Sequence, residues 1–316
     1  MTDPPPGTRH WYEDVVRRDR TSLREPADGA VPYGEAVRLP TDADSVTDEE
    51  FHDSEAPVYD AYGETPRTEV SEAWLLDWVA QEVPDGITVD LGTGTGRVAE
   101  RLAGPRRRVI AVDRSRKMLE LARHKLPAAH AVALRADVRE LPLEDASVDA
   151  VVCSGVLHHL PQWPAAVEEA ARVLKPGGKL LVREPNEAYA GQLFEPFERL
   201  MELAARKLGG DRGDGGAAAP GASGPDASAE PEGLSPVERP ISPDRLIEVG
   251  RSAGFRVDRT GSAMFFGSLG IPGDSPVQRL YFEPANLVDR FALRWTGHHR
   301  GALFLAVLTR TGLSRA

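Results

Sequence analysis

Thiol groups are almost absent from this chain, because Cys153 is the single cysteine among 316 residues. One thiol can form no internal disulfide and cannot supply the thiolates of a structural zinc site. The N-terminus lacks the basic and apolar regions of a signal peptide, and no run approaches eighteen apolar residues. We therefore expect a cytoplasmic protein without a membrane partner.

Basic side chains are also scarce relative to acidic ones. The chain has 38 Lys and Arg residues against 49 Asp and Glu residues, which gives a formal net charge of −11. Proteins dedicated to nucleic acid usually present a basic field. The charge therefore argues against a nucleic-acid partner.

The most informative stretch of the sequence is residues 87–96, which read ITVDLGTGTG. The β-branched and apolar first half predicts a buried strand, and a helical pattern begins at Arg97 directly after the glycines. A strand, a glycine turn and a helix form the first unit of a doubly wound α/β nucleotide site. There a backbone without Cβ atoms lets a ligand approach the helix N-terminus. The candidate residues of this turn are Gly92, Thr93, Gly94 and Gly96.

The spacing of the glycines distinguishes between ligands. A dinucleotide site uses the pattern Gly-x-Gly-x-x-Gly, but Arg97 occupies the position of its third glycine. Asp90 stands two residues before the first glycine, where a carboxylate would repel a pyrophosphate and would suit an ammonium group. The turn therefore favours a ligand that carries an amino-acid ammonium.

Acids also end the next two predicted strands. Asp113 closes the strand at 108–113, where a carboxylate can accept hydrogen bonds from both ribose hydroxyls. Asp137 closes the strand that begins at Ala131. Because the carboxyl ends of parallel strands meet at the ligand-binding edge of an α/β sheet, these acids predict one site. The alternative for each is a helix cap or a solvated loop acid.

This order of motifs resembles the class I S-adenosylmethionine (SAM)-dependent methyltransferases of the small-molecule type, most strongly over residues 56–186. The resemblance implies SAM as the cofactor and an α/β fold. The expected sheet is doubly wound, seven-stranded and mostly parallel, with an antiparallel last strand. The resemblance also implies that Asp137 receives the adenine amino group, that the backbone amide of Val138 reaches the ring and that Met118 lines the adenine pocket. Helical spacing alone would make Met118 a core residue.

A tyrosine, an arginine and a serine complete the expected cofactor site. In the resembling family a tyrosine before the glycine turn closes over the SAM carboxylate, and Tyr59 and Tyr62 are the candidates, with simple packing as the alternative. Arg114 and Ser154 follow the second and fourth predicted strands at the same edge of the sheet, and we assign both to cofactor binding.

Candidates for a catalytic base follow the fourth and fifth predicted strands. SAM carries its own leaving group, so the protein has to align the acceptor and, for oxygen or nitrogen acceptors, remove a proton. His158 or His159 could serve near neutral pH, although a pocket-shaping role is the alternative for both. Glu184 is a further candidate. No metal ligands are predicted.

The acceptor is expected to be a small molecule. No Asp-Pro-Pro-Tyr or Asn-Pro-Pro-Tyr motif follows the fourth predicted strand, as DNA and many protein amino-methyltransferases would require. We expect methyl transfer to a small organic acceptor in specialised metabolism. The alternatives are a SAM-binding fold that does not methylate, serving cyclisation or a scaffold role, and a methyltransferase of RNA or protein.

Composition and periodicity divide the chain into five parts. A Pro-, Asp- and Arg-rich arm is expected to be loosely ordered, and an apolar helical stripe after the fifth strand is expected to form a lid, with an extra outer-layer helix as the alternative. A Gly-, Ala-, Pro- and Ser-rich stretch is expected to be a disordered linker. The parts are the arm at 1–45, the SAM-binding core at 46–186, the lid at 187–208, the linker at 209–235 and the C-terminal part of the methyltransferase domain at 236–316.

Overall fold

The computed structural model describes residues 10–24, 30–39, 42–63, 75–187, 237–263 and 301–312. In these residues, helices pack on one mixed sheet. The strands are β1 (Thr21–Arg24), β2 (Tyr33–Ala36), β3 (Gly86–Leu91), β4 (Arg107–Asp113), β5 (Ala131–Arg135), β6 (Val148–Ser154), β7 (Leu174–Pro185), β8 (Phe255–Ala263) and β9 (Leu303–Arg310). The α-helices are α1 (Ala43–Gly63), α2 (residues 75–82), α3 (Arg97–Leu102), α4 (Arg116–Lys125), α5 (Trp163–Val173) and α6 (Pro243–Ser252). Short 3-10 helices lie at Trp11–Asp14 and Leu157–His159.

The sheet has the order β1-β2-β5-β4-β3-β6-β7-β9-β8. Neighbours from β2 to β7 in this order pair in parallel, and the pairs β1·β2, β7·β9 and β9·β8 are antiparallel. The predicted doubly wound, mostly parallel α/β sheet with an antiparallel last strand is therefore confirmed. Within the described ranges the sheet has nine strands instead of seven, because β1 and β2 extend it beyond β5.

Alternate residues of the central strands enter two cores on opposite faces of the sheet. In β4, Ile110 and Val112 belong to the core that packs against α5 and α6, and Val109 belongs to the core that packs against α2, α3 and α4. Parallel strands covered on both faces read as continuous apolar runs, which is why the sequence predicted them as buried.

The strand order reverses at β3, which places a ligand crevice at its carboxyl end. After β3 the chain builds β4 and β5 on one side and then crosses to β6 and β7 on the other side. The helices on the two sides diverge from this point, and open α/β sheets bind ligands there. The glycine turn follows β3 directly and therefore lies at this crevice.

The N-terminal arm is more ordered than expected over residues 10–24 and 30–39. Strand β2 pairs in parallel with β5, and β1 completes that edge of the sheet. Tyr12, Val15 and Val16 are buried in the core that packs against α5 and α6, and Trp11 packs against that core. The composition of the arm is polar on average, so the sequence did not indicate that these few apolar side chains would be buried. Their burial holds the segment against the rest of the domain.

Two other predicted segments lie almost wholly outside the described residues. The predicted lid helix at 187–208 is described only at Glu187, and none of the predicted linker at 209–235 is described. The C-terminal part is described at 237–263 and 301–312, where α6 lies and where the expected antiparallel last strand is found as β9. No helix in the described ranges is long and apolar enough to cross a membrane.

Replacing Tyr12 by alanine tests whether the arm belongs to the folded domain. Tyr12 is 2% exposed, so Tyr12→Ala should lower the free energy of unfolding by about 3 kcal/mol through lost burial and a cavity. Val37→Ala is the matched control, because Val37 is 73% exposed and its loss should change stability by less than about 0.5 kcal/mol. Denaturant unfolding measures both, and equal stabilities of the two variants would contradict the docking of the arm.

Candidate active site

A pocket with about 730 Å³ of empty volume lies at the carboxyl edge of the sheet. Its walls come from the residues that follow β3, β4, β5 and β6, and from α1. Eight of the residues predicted to bind the cofactor line it: Tyr59, Gly92, Gly94, Asp113, Arg114, Met118, Asp137 and Val138. Four others, Asp90, Thr93, Gly96 and Ser154, are not part of its lining. Of the three candidate bases only His159 lines it.

The positions of the turn require glycine for different structural reasons. A Cβ atom on Gly92 would lie 2.4 Å from Cγ2 of Val156, and one on Gly96 would lie 3.0 Å from Cβ of Ala122. Both glycines therefore allow close packing. Gly94 has a φ of +52°, and a Cβ there would have open space around it, with the ring of Tyr59 4.0 Å away. Gly94 is thus the glycine whose bare backbone faces the pocket.

Asp90 lies behind the turn, outside the pocket lining. Its Oδ2 accepts a 2.6 Å hydrogen bond from the hydroxyl of Thr93, and its side chain also accepts from the backbone amide of Ala99. Burial raises the pKa of Asp90 to about 7. The structure therefore gives Asp90 and Thr93 a role in holding the turn, and the predicted contact of Asp90 with a ligand ammonium stays a prediction.

Asp113 joins the glycine turn to the next strand and helix. Its Oδ2 accepts a hydrogen bond from the backbone amide of Gly94 and its Oδ1 accepts one from that of Ser115, both at 2.8 Å. Burial raises the pKa of this carboxyl group. Each oxygen keeps a second acceptor position, and Asp113 lines the pocket, so the geometry suits a bidentate contact with two hydroxyls.

Asp137 lies at the pocket but is occupied by two arginines. Oδ1 accepts from the backbone amide and Nε of Arg139 at 2.8 and 2.9 Å, and Oδ2 accepts from Nη2 of Arg139 at 2.8 Å and Nη1 of Arg114 at 3.2 Å. Burial acts to raise the pKa of Asp137, but the hydrogen bonds from Arg139 outweigh it and the pKa is lowered. An adenine amino group can bind this carboxylate only if a donor moves, and the contact with Arg114 is the longest.

Met118 and Ser115 fix the start of α4 beside the pocket. The Ser115 hydroxyl accepts a 3.1 Å hydrogen bond from the backbone amide of Met118, which caps the helix. Met118 is buried and also lines the pocket. Its place in the core is therefore compatible with the predicted place in an adenine pocket. The hydroxyl of Ser115 further contacts Asp53 of α1.

Helix α1 covers the pocket and is held there mainly by charged side chains. Glu49 pairs with Arg114 at 2.8 Å and with Arg135, and Asp60 pairs with Lys125. The pairing of these acids with Arg114, Arg135 and Lys125 was not expected from the sequence. Tyr59 of this helix reaches over Gly94, whereas the side chain of Tyr62 is outside the described set.

His158 and Glu184 form a buried dyad at the ends of β6 and β7. Oε1 of Glu184 accepts hydrogen bonds from the backbone amides of Val156 and Leu157, both at 2.9 Å. Its Oε2 lies 2.7 Å from Nδ1 of His158, which therefore carries the proton and donates it to the carboxylate. Glu184 is fully buried, so it orients the imidazole and is not itself placed to take a proton from an acceptor. Because β6 and β7 are parallel neighbours, their carboxyl ends lie side by side. The positions of His158 and Glu184 after these two strands could therefore have predicted the pair.

A second cluster joins α1 to the end of β6. Nδ1 of His159 lies 3.2 Å from Oδ1 of Asp48 and 3.4 Å from Nε2 of His52, and all three residues line the pocket. Burial acts to raise the pKa of Asp48, but hydrogen bonds with His159 and His52 outweigh it and lower the pKa. Burial acts to lower the pKa of His52, but its hydrogen bond with Asp48 outweighs it and raises the pKa. Sequence analysis missed Asp48 and His52, although their spacing of four residues places them on one helix face.

Comparisons with known proteins agree with this geometry. Residues 89–182 match the family described as Methyltransferase domain. The ubiquinone/menaquinone biosynthesis C-methyltransferase UbiE of Syntrophotalea carbinolica is 34% identical over 171 residues, which cover 51% of this chain and 71% of that protein. The chain spans only 22% to 49% of the length of other curated relatives that it matches, among them an uncharacterized methyltransferase of Mycobacterium tuberculosis at 44% identity over 34% of this chain.

Solved structures share the fold. Magnesium protoporphyrin IX methyltransferase from Synechocystis PCC 6803, with bound SAH, superposes with a TM-score of 0.51 at 14% identity, covering 85% of this chain and all of that one. The cyclase SpnF superposes with a TM-score of 0.55 at 17% identity, covering 87% of this chain and 98% of that one. At these identities the likeness extends to the fold and no further.

The raised pKa of Asp90 predicts a pH-dependent stability. Its folded-state pKa of about 7 lies above the unfolded value, so the stabilising contribution of the protonated form is complete below about pH 4 and is lost as the pH rises through 7. Asp90→Asn removes this titration. The stability of the variant relative to wild type should therefore rise by a few kcal/mol between pH 4 and 7, as measured by denaturant unfolding.

The exposed acid Glu120 on α4 supplies the control for this measurement. Glu120→Gln should follow the wild-type pH curve closely. A curve for Asp90→Asn that runs parallel to wild type across the same range would contradict the buried, protonated state of Asp90.

Proposed function

Because this chain belongs to the class I SAM-dependent methyltransferases, we propose that it transfers the methyl group of SAM to a small-molecule acceptor in specialised metabolism. The observation that carries the proposal is the convergence of Gly94, Asp113 and Asp137 on one pocket at the carboxyl edge of the sheet. These groups come from the ends of three successive strands of the parallel sheet. Their placement suits the amino-acid, ribose and adenine parts of SAM in that order.

The pose of SAM follows from the polar groups of the pocket. The Asp113 carboxylate accepts hydrogen bonds from both ribose hydroxyls, in addition to the two backbone amides that it already binds. The adenine lies between Met118 and Val138. The amino-acid part passes over the bare backbone of Gly94, under the ring of Tyr59. This pose needs no contact from Asp90, which lies behind the turn.

Two features support a small molecule as the acceptor. The net charge of −11 disfavours nucleic acid, and the acidic side chain of Asp48 from α1 lines the pocket. The name of one relative refers to ubiquinone/menaquinone biosynthesis, which is a small-molecule chemistry.

His158 is the proposed general base for an oxygen or nitrogen acceptor. It is not part of the pocket lining, but its ring lies beside Gly155, which is. Glu184 binds the proton on Nδ1, which leaves the lone pair of Nε2 available. In the reaction Nε2 takes the acceptor proton, the acceptor lone pair forms the bond to the methyl carbon, and the electrons of the breaking S–CH3 bond stay on sulfur. The products are the methylated acceptor and S-adenosylhomocysteine.

Gly94→Ala tests the position of SAM. A methyl group there meets no protein atom closer than 4.0 Å, but it projects where the amino-acid part of SAM is proposed to lie. Calorimetry should show SAM affinity reduced by at least about tenfold, or about 1.4 kcal/mol, with a modest loss of stability from the positive φ. Gly104→Ala is the control, because a Cβ atom there has no neighbour within 4 Å. Unchanged SAM affinity in Gly94→Ala would contradict this pose.

His158→Gln tests both the reaction and its base. The wild-type enzyme should release S-adenosylhomocysteine when it is supplied with SAM and a panel of small phenols, quinols and amines. His158→Gln should lower kcat for the active acceptor by about 10²- to 10⁴-fold, while SAM affinity holds. Glu184→Gln should lower kcat as well, because the imidazole loses its orienting carboxylate. His124→Gln, an exposed change on α4, should keep full activity. Full activity of His158→Gln would show that this imidazole only shapes the pocket.

A further inference from the structure

We propose that Asp48, His52 and His159 form a binding site for one divalent transition-metal ion, with zinc favoured by the donor set, on the wall of the pocket. Two imidazoles and one carboxylate are a ligand set that zinc accepts in sites with an open coordination position. The three donor atoms are Oδ1 of Asp48, Nε2 of His52 and Nδ1 of His159. They come from one face of α1 and from the 3-10 helix that follows β6.

The spacing of these atoms is that of a metal site. The three edges of the donor triangle measure 3.2 Å, 3.4 Å and 3.6 Å. In a tetrahedral zinc site with bonds of about 2.0–2.1 Å, the ligand atoms lie about 3.3–3.4 Å apart. An ion about 2.1 Å from all three atoms would lie about 0.7 Å off their plane, which is the offset of a tetrahedral centre. The side chains therefore need little movement to bind the ion.

Hydrogen bonding alone accounts poorly for this arrangement. Nδ1 of His159 and Nε2 of His52 both approach the same oxygen of Asp48, and they also face each other at 3.4 Å. If both nitrogens carry protons, two N–H groups that lie 3.4 Å apart crowd onto one acceptor oxygen. If only one does, the lone pair of the other nitrogen faces the carboxylate oxygen. A cation at the centre satisfies all three lone pairs at once.

The other nitrogen of each imidazole also faces a carboxylate. Nδ1 of His52 lies 3.7 Å from Oε2 of Glu55, and Nε2 of His159 lies 3.7 Å from Oε1 of Glu238. Metal-binding histidines characteristically direct their second nitrogen toward a carboxylate, which fixes the tautomer and strengthens the ligand. Both histidines of this cluster have a carboxylate 3.7 Å from the second nitrogen, which is slightly longer than a direct hydrogen bond, and the two carboxylates come from separate parts of the chain.

The open coordination position gives the site a use. This step rests on the proposed function: the three ligands line the pocket, so a fourth ligand would come from its interior. We infer that this ligand is a hydroxyl oxygen of the acceptor, which makes a phenol or another hydroxylated small molecule the substrate class. A bound cation lowers the pKa of such a hydroxyl and so eases transfer of its proton to His158.

Cobalt(II) binding by the metal-stripped, untagged full-length protein tests the site without SAM or acceptor. The wild type should bind one Co²⁺ tightly, with the intense visible absorption of a four-coordinate centre, and Zn²⁺ should displace it. His52→Ala and Asp48→Asn should each lose at least about 100-fold in Co²⁺ affinity. His124→Ala should bind like wild type, and so should a His298→Ala/His299→Ala double variant, which removes the adjacent histidine pair elsewhere in the sequence.

Glu55→Gln extends the test if a ligand variant fails to fold. It leaves all three donors in place and should weaken Co²⁺ binding by about tenfold, because His52 loses its partner carboxylate. No four-coordinate spectrum in wild type, or binding unaffected by His52→Ala in a folded variant, would overturn the metal site. Calorimetry with SAM on the same samples keeps the two proposals apart. SAM binding without a metal site refutes only this inference, whereas a metal site without SAM binding refutes the cofactor pose.

Discussion

The rest of the candidate site depends on the two hydrogen bonds that the Asp113 carboxylate accepts. One comes from Gly94, in the turn after β3, and the other comes from Ser115, at the start of α4. A single buried side chain therefore ties the glycine turn, the end of β4 and a helix N-terminus into one rigid edge. Because β3 is where the strand order reverses, this edge borders the crevice that the doubly wound topology leaves open.

Ion pairs hold helix α1 over the pocket beside that edge. Helix α1 contributes few apolar side chains to the cores, and its acids instead pair with basic residues at the strand ends, as Glu49 does with Arg114 and Arg135. The same helix supplies Asp48 and His52 beside His159. The helix that closes the pocket thus also carries side chains with chemistry of their own. Partly buried pairs of this kind specify one docking position, since removing either partner leaves a charge without compensation.

The sequence predicted the core strands and the acids at their ends because both follow from local rules. Buried parallel strands give unbroken apolar runs, and a turn that needs bare backbone requires glycine. The departures were long-range. Strands β1 and β2 have only four residues each. They form because β2 pairs with β5 and because the nearby Tyr12 is buried in the core. Asp90 was predicted at the ligand, yet its neighbours Thr93 and Ala99 hold it behind the turn. The cluster of His52 with His159 joins residues 107 positions apart, which no local pattern reveals.

The central claim is that this edge of the sheet binds SAM with its ribose on Asp113. A crystal structure of the full chain with S-adenosylhomocysteine tests it most directly. The account predicts both ribose hydroxyls within about 3 Å of the Asp113 carboxylate, with the amino-acid part over Gly94. A ligand bound elsewhere, or one in this pocket whose ribose is out of hydrogen-bonding reach of Asp113, would contradict it.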